Sequence, residues 1–287
     1  MHIPQLGTEM IKQPQDLFKM LDRHGVLLIR DENIDITAFT NITDALGHDF
    51  LVYQGATISR PSATDSTGTI FSVTSPEYGY AIPLHGEMRY LAHPPELLFF
   101  YCQTPAKQGG ETTFCDAIAL WQALPGPVRQ RFSSTPITYI RCQGHGMWRQ
   151  LYHTESLETV KQICMANGVI FNYCPESDAV TTRYTCSAVV NTHRGLAFIN
   201  NFLPFAEREM VSPTPLTSVV RFADDERHPI SSDLVRIVRD AADRLTIAHA
   251  WQCNDIMVID NHTVLHGRTS INDLNRRVLL RMTRSRH

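Results

Sequence analysis

No apolar run in this chain approaches the roughly 18 residues that a membrane-spanning helix requires. Its first residues, Met1-His2-Ile3-Pro4-Gln5, have neither the charged start nor the apolar stretch of a secretory signal. Both absences lead us to expect a cytoplasmic protein with no membrane partner. There is no C-x-x-C pair, and the seven cysteines are scattered singly. That disfavours a disulfide framework and a structural zinc site, and reduced thiols are expected. Long blocks of one charge are missing too. With a net charge of −3 and an isoelectric point near 6.5, electrostatics gives no support for a nucleic-acid partner. Internal repeats and low-complexity linkers are absent as well.

What the chain does have is apolar side chain. Hydrophobic residues make up 43% of its 287 positions, enough for a large core, and a β-sandwich or barrel of this length can be one domain. Residues 1–287 are therefore read as a single domain. Residues 15–24 place Leu17, Phe18, Met20 and Leu21 at helical spacing, with Gly25 positioned to end the helix, and 26–29 read as a strand. A second helix is expected over 36–46, closed by Gly47. Residues 54–80, rich in Ser, Thr, Gly and Pro, read as irregular connections with short strands. Strands are expected at 97–102, 112–114, 256–260 and 277–282, a hairpin over 187–199, and helices over 117–124 (capped by Asp116) and 232–247. Residues 130–185 are read as a helical or irregular insertion. Strands dominate the middle and the end, so a mainly β fold with peripheral helices, a barrel or jelly roll, fits better than alternating βαβ units.

Two fragments carry chemistry: Leu84-His85-Gly86-Glu87, and Asn261-His262-Thr263-Val264-Leu265-His266-Gly267-Arg268. On an extended strand, positions two apart point to the same face, so His85 and Glu87 are aimed at one point. The second fragment follows the apolar run 256–259 and offers His266 at the end of a strand. Among 13 histidines, one alone means little. Two histidines and a carboxylate on one side of a metal, with open positions opposite, form the ligand set of non-heme Fe(II) oxygenases. His262 competes with His266 for the third place.

The resemblance of these fragments is specific. His85-Gly86-Glu87-Met88, the stretch Pro94-Pro95-Glu96-Leu97-Leu98-Phe99-Phe100-Tyr101-Cys102 and Gln108-Gly109-Gly110-Glu111-Thr112 are similar to the TauD/TfdA (taurine dioxygenase-like) family of Fe(II)/2-oxoglutarate-dependent oxygenases. So are Trp251, Asn254 to Asn261, Leu265-His266-Gly267-Arg268, Arg277 and Arg281. The family more often has Asp at the position of Glu87; Glu resembles its clavaminate-synthase-like members.

The resemblance implies a distorted double-stranded β-helix (jelly roll) with His85, Glu87 and His266 as catalytic iron ligands. It implies Fe(II), 2-oxoglutarate and O₂ as cofactor and cosubstrates. Thr112 and Arg277 would bind the distal carboxylate of 2-oxoglutarate, with Arg276 as the alternative to Arg277. Since 277 and 281 share a strand face, Arg281 would reach the same cavity and bind an anionic group of the substrate. Asn201, with Asn200 and Phe202, would line the pocket, and Arg141, His145 and Arg149 would lie in a lid. The implied reaction is hydroxylation of an unactivated C–H of a small, amino-acid-like substrate, with release of succinate and CO₂. Glu87 fills the place that chlorinating relatives leave open for halide. Desaturation or cyclisation uses the same cofactors and stays open, as do a non-catalytic metal-binding jelly roll, a zinc hydrolase with the same ligands, and assembly as a homo-oligomer.

Overall fold

The structure, a computed structural model, describes residues 1–52, 68–74, 79–144 and 146–287. Most of the segment expected to be irregular (54–80) and His145 lie outside the described residues. The elements run β1 (Gln5–Leu6), α1 (Pro14–His24), β2 (Val26–Ile29), α2 (Ile36–Leu46), β3 (Gly47–Phe50), β4 (Ile70–Ser72), β5 (Ile82–His85), β6 (Leu97–Thr104) and β7 (Thr112–Asp116). Then come α3 (Ala117–Ala123), α4 (Gly126–Ser134), β8 (Ile137–Gln143), α5 (Met147–Tyr152), α6 (Leu157–Ala166), β9 (Ile170–Cys174), β10 (Ala179–Cys186), β11 (Val190–Thr192) and β12 (Gly195–Ala197). The chain ends with α7 (Phe202–Val211), β13 (Val219–Phe222), α8 (Ser232–Leu245), β14 (Ile247–His249), β15 (Ile256–Asp260), β16 (Val264–Arg268) and β17 (Arg277–Arg286). Among the described residues it is mainly β with helices packed around the strands.

A seven-stranded sheet in the order β1-β2-β15-β6-β17-β3, with β4 beside β17, forms the centre. Its central strands β2, β6 and β15 are apolar at nearly every position because both faces are covered. Val26 and Leu28 of β2, Leu98, Phe100 and Cys102 of β6, Met257 and Ile259 of β15, and Val278, Leu280 and Met282 of β17 face the main core. The intervening residues, among them Leu27, Phe99, Tyr101, Val258 and Leu279, pack against α1 and α2. Each fully buried Leu or Phe in these layers contributes about 1.5–3 kcal/mol.

Local rules set the two covering helices. Pro14 stands in the first turn of α1, where its missing N–H costs nothing, and Gly25 takes the left-handed conformation (φ 74°) that ends it. The Asp35 side chain caps α2 by accepting from the Ala38 N–H at 2.7 Å. Gly47 is extended (φ −159°) and starts β3 rather than ending the helix in a left-handed turn.

A four-stranded sheet, β14-β7-β16-β5, lies across the main core and carries the sequence motifs. A further four-stranded sheet, β13-β8-β10-β9, occupies the region expected to be a helical or irregular insertion. It was hidden because its inward positions are polar or mixed. Tyr139, Arg141 and Gln143 of β8 lie opposite Tyr184, Thr182 and Val180 of β10. Polar side chains on a buried face blur the two-residue period. The hairpin expected over 187–199 is β11–β12. All seven cysteines are unbridged. No helix among the described residues is long and apolar enough to cross a membrane.

Candidate metal centre

His266 on β16 lies in direct antiparallel register with His85 at the end of β5. Residues opposite each other in such a pair share a face, and the two rings are 4.3 Å apart between centroids. Gly267 permits the approach: a Cβ there would stand 2.6 Å from the Ile82 carbonyl oxygen and 3.2 Å from the Leu84 nitrogen.

Glu87 joins them differently from the strand geometry expected. β5 stops at His85, and Glu87 lies in the turn that follows, with Met88 at φ 56°. The turn swings the carboxylate back, so that Glu87 Oε2 is 3.8 Å from His85 Nε2 and 3.5 Å from His266 Nε2. The Gly86 N–H fixes the start of this turn by donating to the Asn200 carbonyl at 2.9 Å.

All three donor atoms lie within 4.8 Å of one another. Two atoms each about 2.1 Å from one ion can be at most about 4.2 Å apart, a span the two measured separations respect. The His85 tautomer follows from geometry. Its Nδ1 stands 2.9 Å from the Pro83 carbonyl; a carbonyl only accepts, so Nδ1 carries the proton and Nε2 keeps its lone pair for a metal. His262 is partly exposed on the following turn, with its backbone N–H bonded to Asp260 Oδ1 at 2.9 Å, and is not one of the cluster.

Thr112 begins β7 opposite Arg268, two positions from the Phe114–His266 pair, and so lies on the same face as the histidines. It is buried, and its Oγ1 accepts a hydrogen bond from Trp251 Nε1 at 2.9 Å. Phe100 bridges Trp251 and His266, at 6.4 and 5.7 Å between ring centroids.

Arg277 is exposed, opposite Thr104 at an irregularity in the ladder. The inward residue is Arg276, only 2% exposed, which donates from Nε to the Gly110 carbonyl at 3.1 Å and from Nη1 to Thr74 Oγ1 at 2.9 Å. Gly110 takes φ 75°, and a Cβ there would stand 2.9 Å from Arg276 Cδ, so the double glycine makes room for this side chain. Burial pushes the Arg276 guanidinium down to about 10, and the nearby Arg268 charge acts in the same direction. It stays a cation at neutral pH. Two buried guanidinium groups near a hydroxyl suit a carboxylate.

Arg281 lies on the face of β17 that is turned from the histidines. Val278, Leu280 and Met282 face the main core, whereas Leu279 packs on the helical layer. There Arg281 donates from Nη1 to Thr43 Oγ1 at 2.5 Å and Asp44 Oδ1 at 2.7 Å, and its guanidinium lies 3.5 Å from the Phe50 ring centroid. The structure does not bring Arg281 or Arg277 to the metal cluster.

Asn201 is buried where α7 begins, next to the residue that holds Gly86. Its backbone N–H donates to the Tyr139 hydroxyl at 2.8 Å, while its side-chain oxygen accepts no hydrogen bond among the described residues. Arg141 is buried with its guanidinium 4.4 Å from the Tyr90 ring centroid. Arg149 pairs with Asp178 and Glu155 at 2.5 and 2.8 Å near the surface.

The profile of the taurine catabolism dioxygenase TauD, TfdA family matches residues 8–283. A clavaminate synthase-like protein of Arabidopsis thaliana is 26% identical over 291 residues, covering 96% of this chain and 86% of that protein. The dapdiamide synthesis protein DdaC of Enterobacter agglomerans is 23% identical over 266 residues, covering 87% and 79%. The crystal structure of a taurine dioxygenase from Burkholderia xenovorans superposes with a TM-score of 0.59 at 14% identity, covering 100% of this chain and 87% of that one.

Proposed function

The chain belongs to the taurine catabolism dioxygenase TauD, TfdA family of iron- and 2-oxoglutarate-dependent oxygenases, and from that premise we propose that it hydroxylates an unactivated C–H bond of a small, amino-acid-like molecule at a centre held by His85, Glu87 and His266. As a family member it is an oxidoreductase that uses Fe(II), 2-oxoglutarate and O₂ and acts on a small molecule. The convergence of one donor atom each from His85, Glu87 and His266 within 4.8 Å carries the assignment of the ligands. A set of two imidazoles and one carboxylate leaves open positions for cosubstrate and oxygen.

The bound iron supplies activation of O₂ coupled to conversion of 2-oxoglutarate into succinate and CO₂. The chain's residues do the rest. Arg276, in place of Arg277, holds the distal carboxylate of 2-oxoglutarate, with Arg268 adding positive charge. The Trp251 N–H occupies a lone pair of the Thr112 oxygen, which directs the Thr112 O–H toward that carboxylate. Phe100 and Trp251 wall the pocket and keep water from it. Asn201 offers a buried amide oxygen to an ammonium or amide N–H of the substrate. We read the motif-bearing sheet and the seven-stranded sheet as the two faces of a distorted jelly roll.

The test is an anaerobic visible spectrum of the Fe(II) protein with 2-oxoglutarate. A weak charge-transfer band is expected, and amino acids or their amides that bind should shift it and raise succinate release. A protein that takes up iron yet shows no band with 2-oxoglutarate would overturn the assignment.

A further inference from the structure

We infer that Asn261 is a positioning residue for Glu87: its side-chain amide grips the backbone of residue 87 from both sides and sets the carboxylate against the two histidines before a metal arrives. The inference rests on the reading of Glu87 as a metal ligand.

The Glu87 N–H donates to Asn261 Oδ1 at 2.8 Å, and Asn261 Nδ2 donates to the Glu87 carbonyl at 3.0 Å and to the Pro95 carbonyl at 2.8 Å. One side chain thus satisfies both the donor and the acceptor of a single residue. Only an amide offers an acceptor and two donors in that arrangement without charge. Asn261 is itself fully buried and fixed. Its N–H donates to the Glu96 carbonyl at 2.9 Å, and its carbonyl accepts from the Arg89 guanidinium. It directly follows β15, which is paired on both sides within the seven-stranded sheet.

Glu87 sits in a turn and not in a strand ladder, and turns are more mobile than the strands they connect. The turn 261–263 leads straight into β16 and His266. His85 docks on that strand by pairing, and Glu87 docks on the same stretch of chain through Asn261. All three proposed ligands are therefore referenced to one stretch of chain, the end of β15, the turn 261–263 and β16.

The experiment reads metal affinity instead of turnover. Co(II) is titrated into metal-free wild type, Asn261→Ala, Asn261→Asp, Glu87→Ala and Asp44→Ala, each below its melting temperature. Residues that orient a metal ligand typically affect affinity by roughly 10–100-fold, and a loss of that size is expected for both Asn261 variants. Asp44→Ala, which loosens α2 on the far side of the sheet, should lower melting temperature and leave Co(II) affinity unchanged. If Glu87→Ala binds like wild type, the ligand reading fails. If Glu87→Ala loses the metal while the Asn261 variants bind normally, the positioning role alone is overturned. Should the Asn261 variants not fold, hydrogen exchange of the metal-free wild type decides. Protection of the Glu87 amide comparable with that of β15 supports the clamp, and exchange at the rate of exposed turns overturns it.

Discussion

His85 and His266 face each other across one antiparallel pair, with ring centroids 4.3 Å apart. Strand register therefore sets the separation of the two imidazoles, since a one-residue slip would turn His85 to the other side of the sheet. The turn after β5 then supplies the carboxylate, and the neighbouring strand β7 supplies Thr112 on the same face, two positions along from the residue opposite His266.

Replacing His85, Glu87 or His266 by Ala should abolish stoichiometric Fe(II) binding, while His262→Ala should retain it. His262 reaches Asp260 at 3.7 Å and is partly exposed, outside the three-residue cluster. Equilibrium dialysis of metal-free protein against Fe(II) under anaerobic conditions decides. Loss of iron in His262→Ala with full occupancy in His266→Ala would show the third ligand to be the wrong histidine.

Arg276→Ala should weaken 2-oxoglutarate binding at least tenfold, and Arg277→Ala should leave it within about twofold. Removing one partner of a buried charge pair costs on the order of 2–5 kcal/mol, and about 1.4 kcal/mol is a tenfold change. Arg277 is exposed. Titration of 2-oxoglutarate into both Fe(II)-loaded variants compares them directly, and the reverse order of effects would return the role to Arg277.

The contrast between these two arginines shows what could be read from the chain. The three clustered residues were legible because short motifs fixed them and a late apolar strand led to His266. Helices α1 and α2 were legible from periodicity and from Gly25. Strand parity cannot say which face of β17 turns inward when both are apolar. Leu279 and Leu280 are each buried, in different layers. The adjacent Arg276 therefore needed the positions of Gly110 and Thr74 to be assigned. Asn261 lay within a quoted motif, yet its partner is a backbone far away in sequence, which no local pattern encodes. The sheet built on β8 and β10 was missed because its buried face carries Arg141, Gln143 and Thr182.

Arg281→Lys should lower thermal stability and leave substrate KM unchanged. The lysine keeps the charge near Asp44 but loses the fork that also reaches Thr43 and the planar contact with Phe50. A loss of about 1–3 kcal/mol is expected. A melting curve and a KM measured on the same preparation separate the two roles; a raised KM at unchanged stability would restore Arg281 to the substrate.

Trp251→Phe should weaken 2-oxoglutarate binding by about fivefold with iron affinity unchanged. The ring's packing on Phe100 is kept while the N–H to Thr112 Oγ1 is lost. A neutral hydrogen bond is worth about 1 kcal/mol net, and without it the Thr112 hydroxyl can turn away from the carboxylate. Combining Trp251→Phe with Thr112→Val should add little to Thr112→Val alone, because both act through one hydroxyl. Fully additive losses in that double-mutant cycle would mean that Trp251 acts elsewhere.

Behind Trp251 lies a buried carboxylate whose titration should show in stability. Asp255 is fully buried and accepts from Arg30 at 2.6 and 2.9 Å, from the Gln252 N–H at 2.9 Å, and pairs with His249 Nε2 at 2.9 Å. His249 in turn meets the Trp251 ring edge-on, 5.2 Å between centroids. Burial pushes the Asp255 carboxyl up, but the bonds from His249, Arg30 and Gln252 outweigh it and hold the group below its ordinary value of 3.8. A carboxyl lowered by folding adds stability above its unfolded pKa, and that stability is lost as pH falls through the folded value. The contribution should therefore be complete at neutral pH and fade below about pH 4. Asp255→Asn should cost about 3 kcal/mol at pH 7, toward the lower end for breaking a buried pair because Arg30 reaches solvent. Denaturant unfolding of both proteins at pH 7, 5, 4 and 3 isolates the group from the other carboxylates. The gap between wild type and variant should be constant down to pH 5 and narrow at pH 3. A gap of the same size at every pH would show that Asp255 acts through packing and not through its charge.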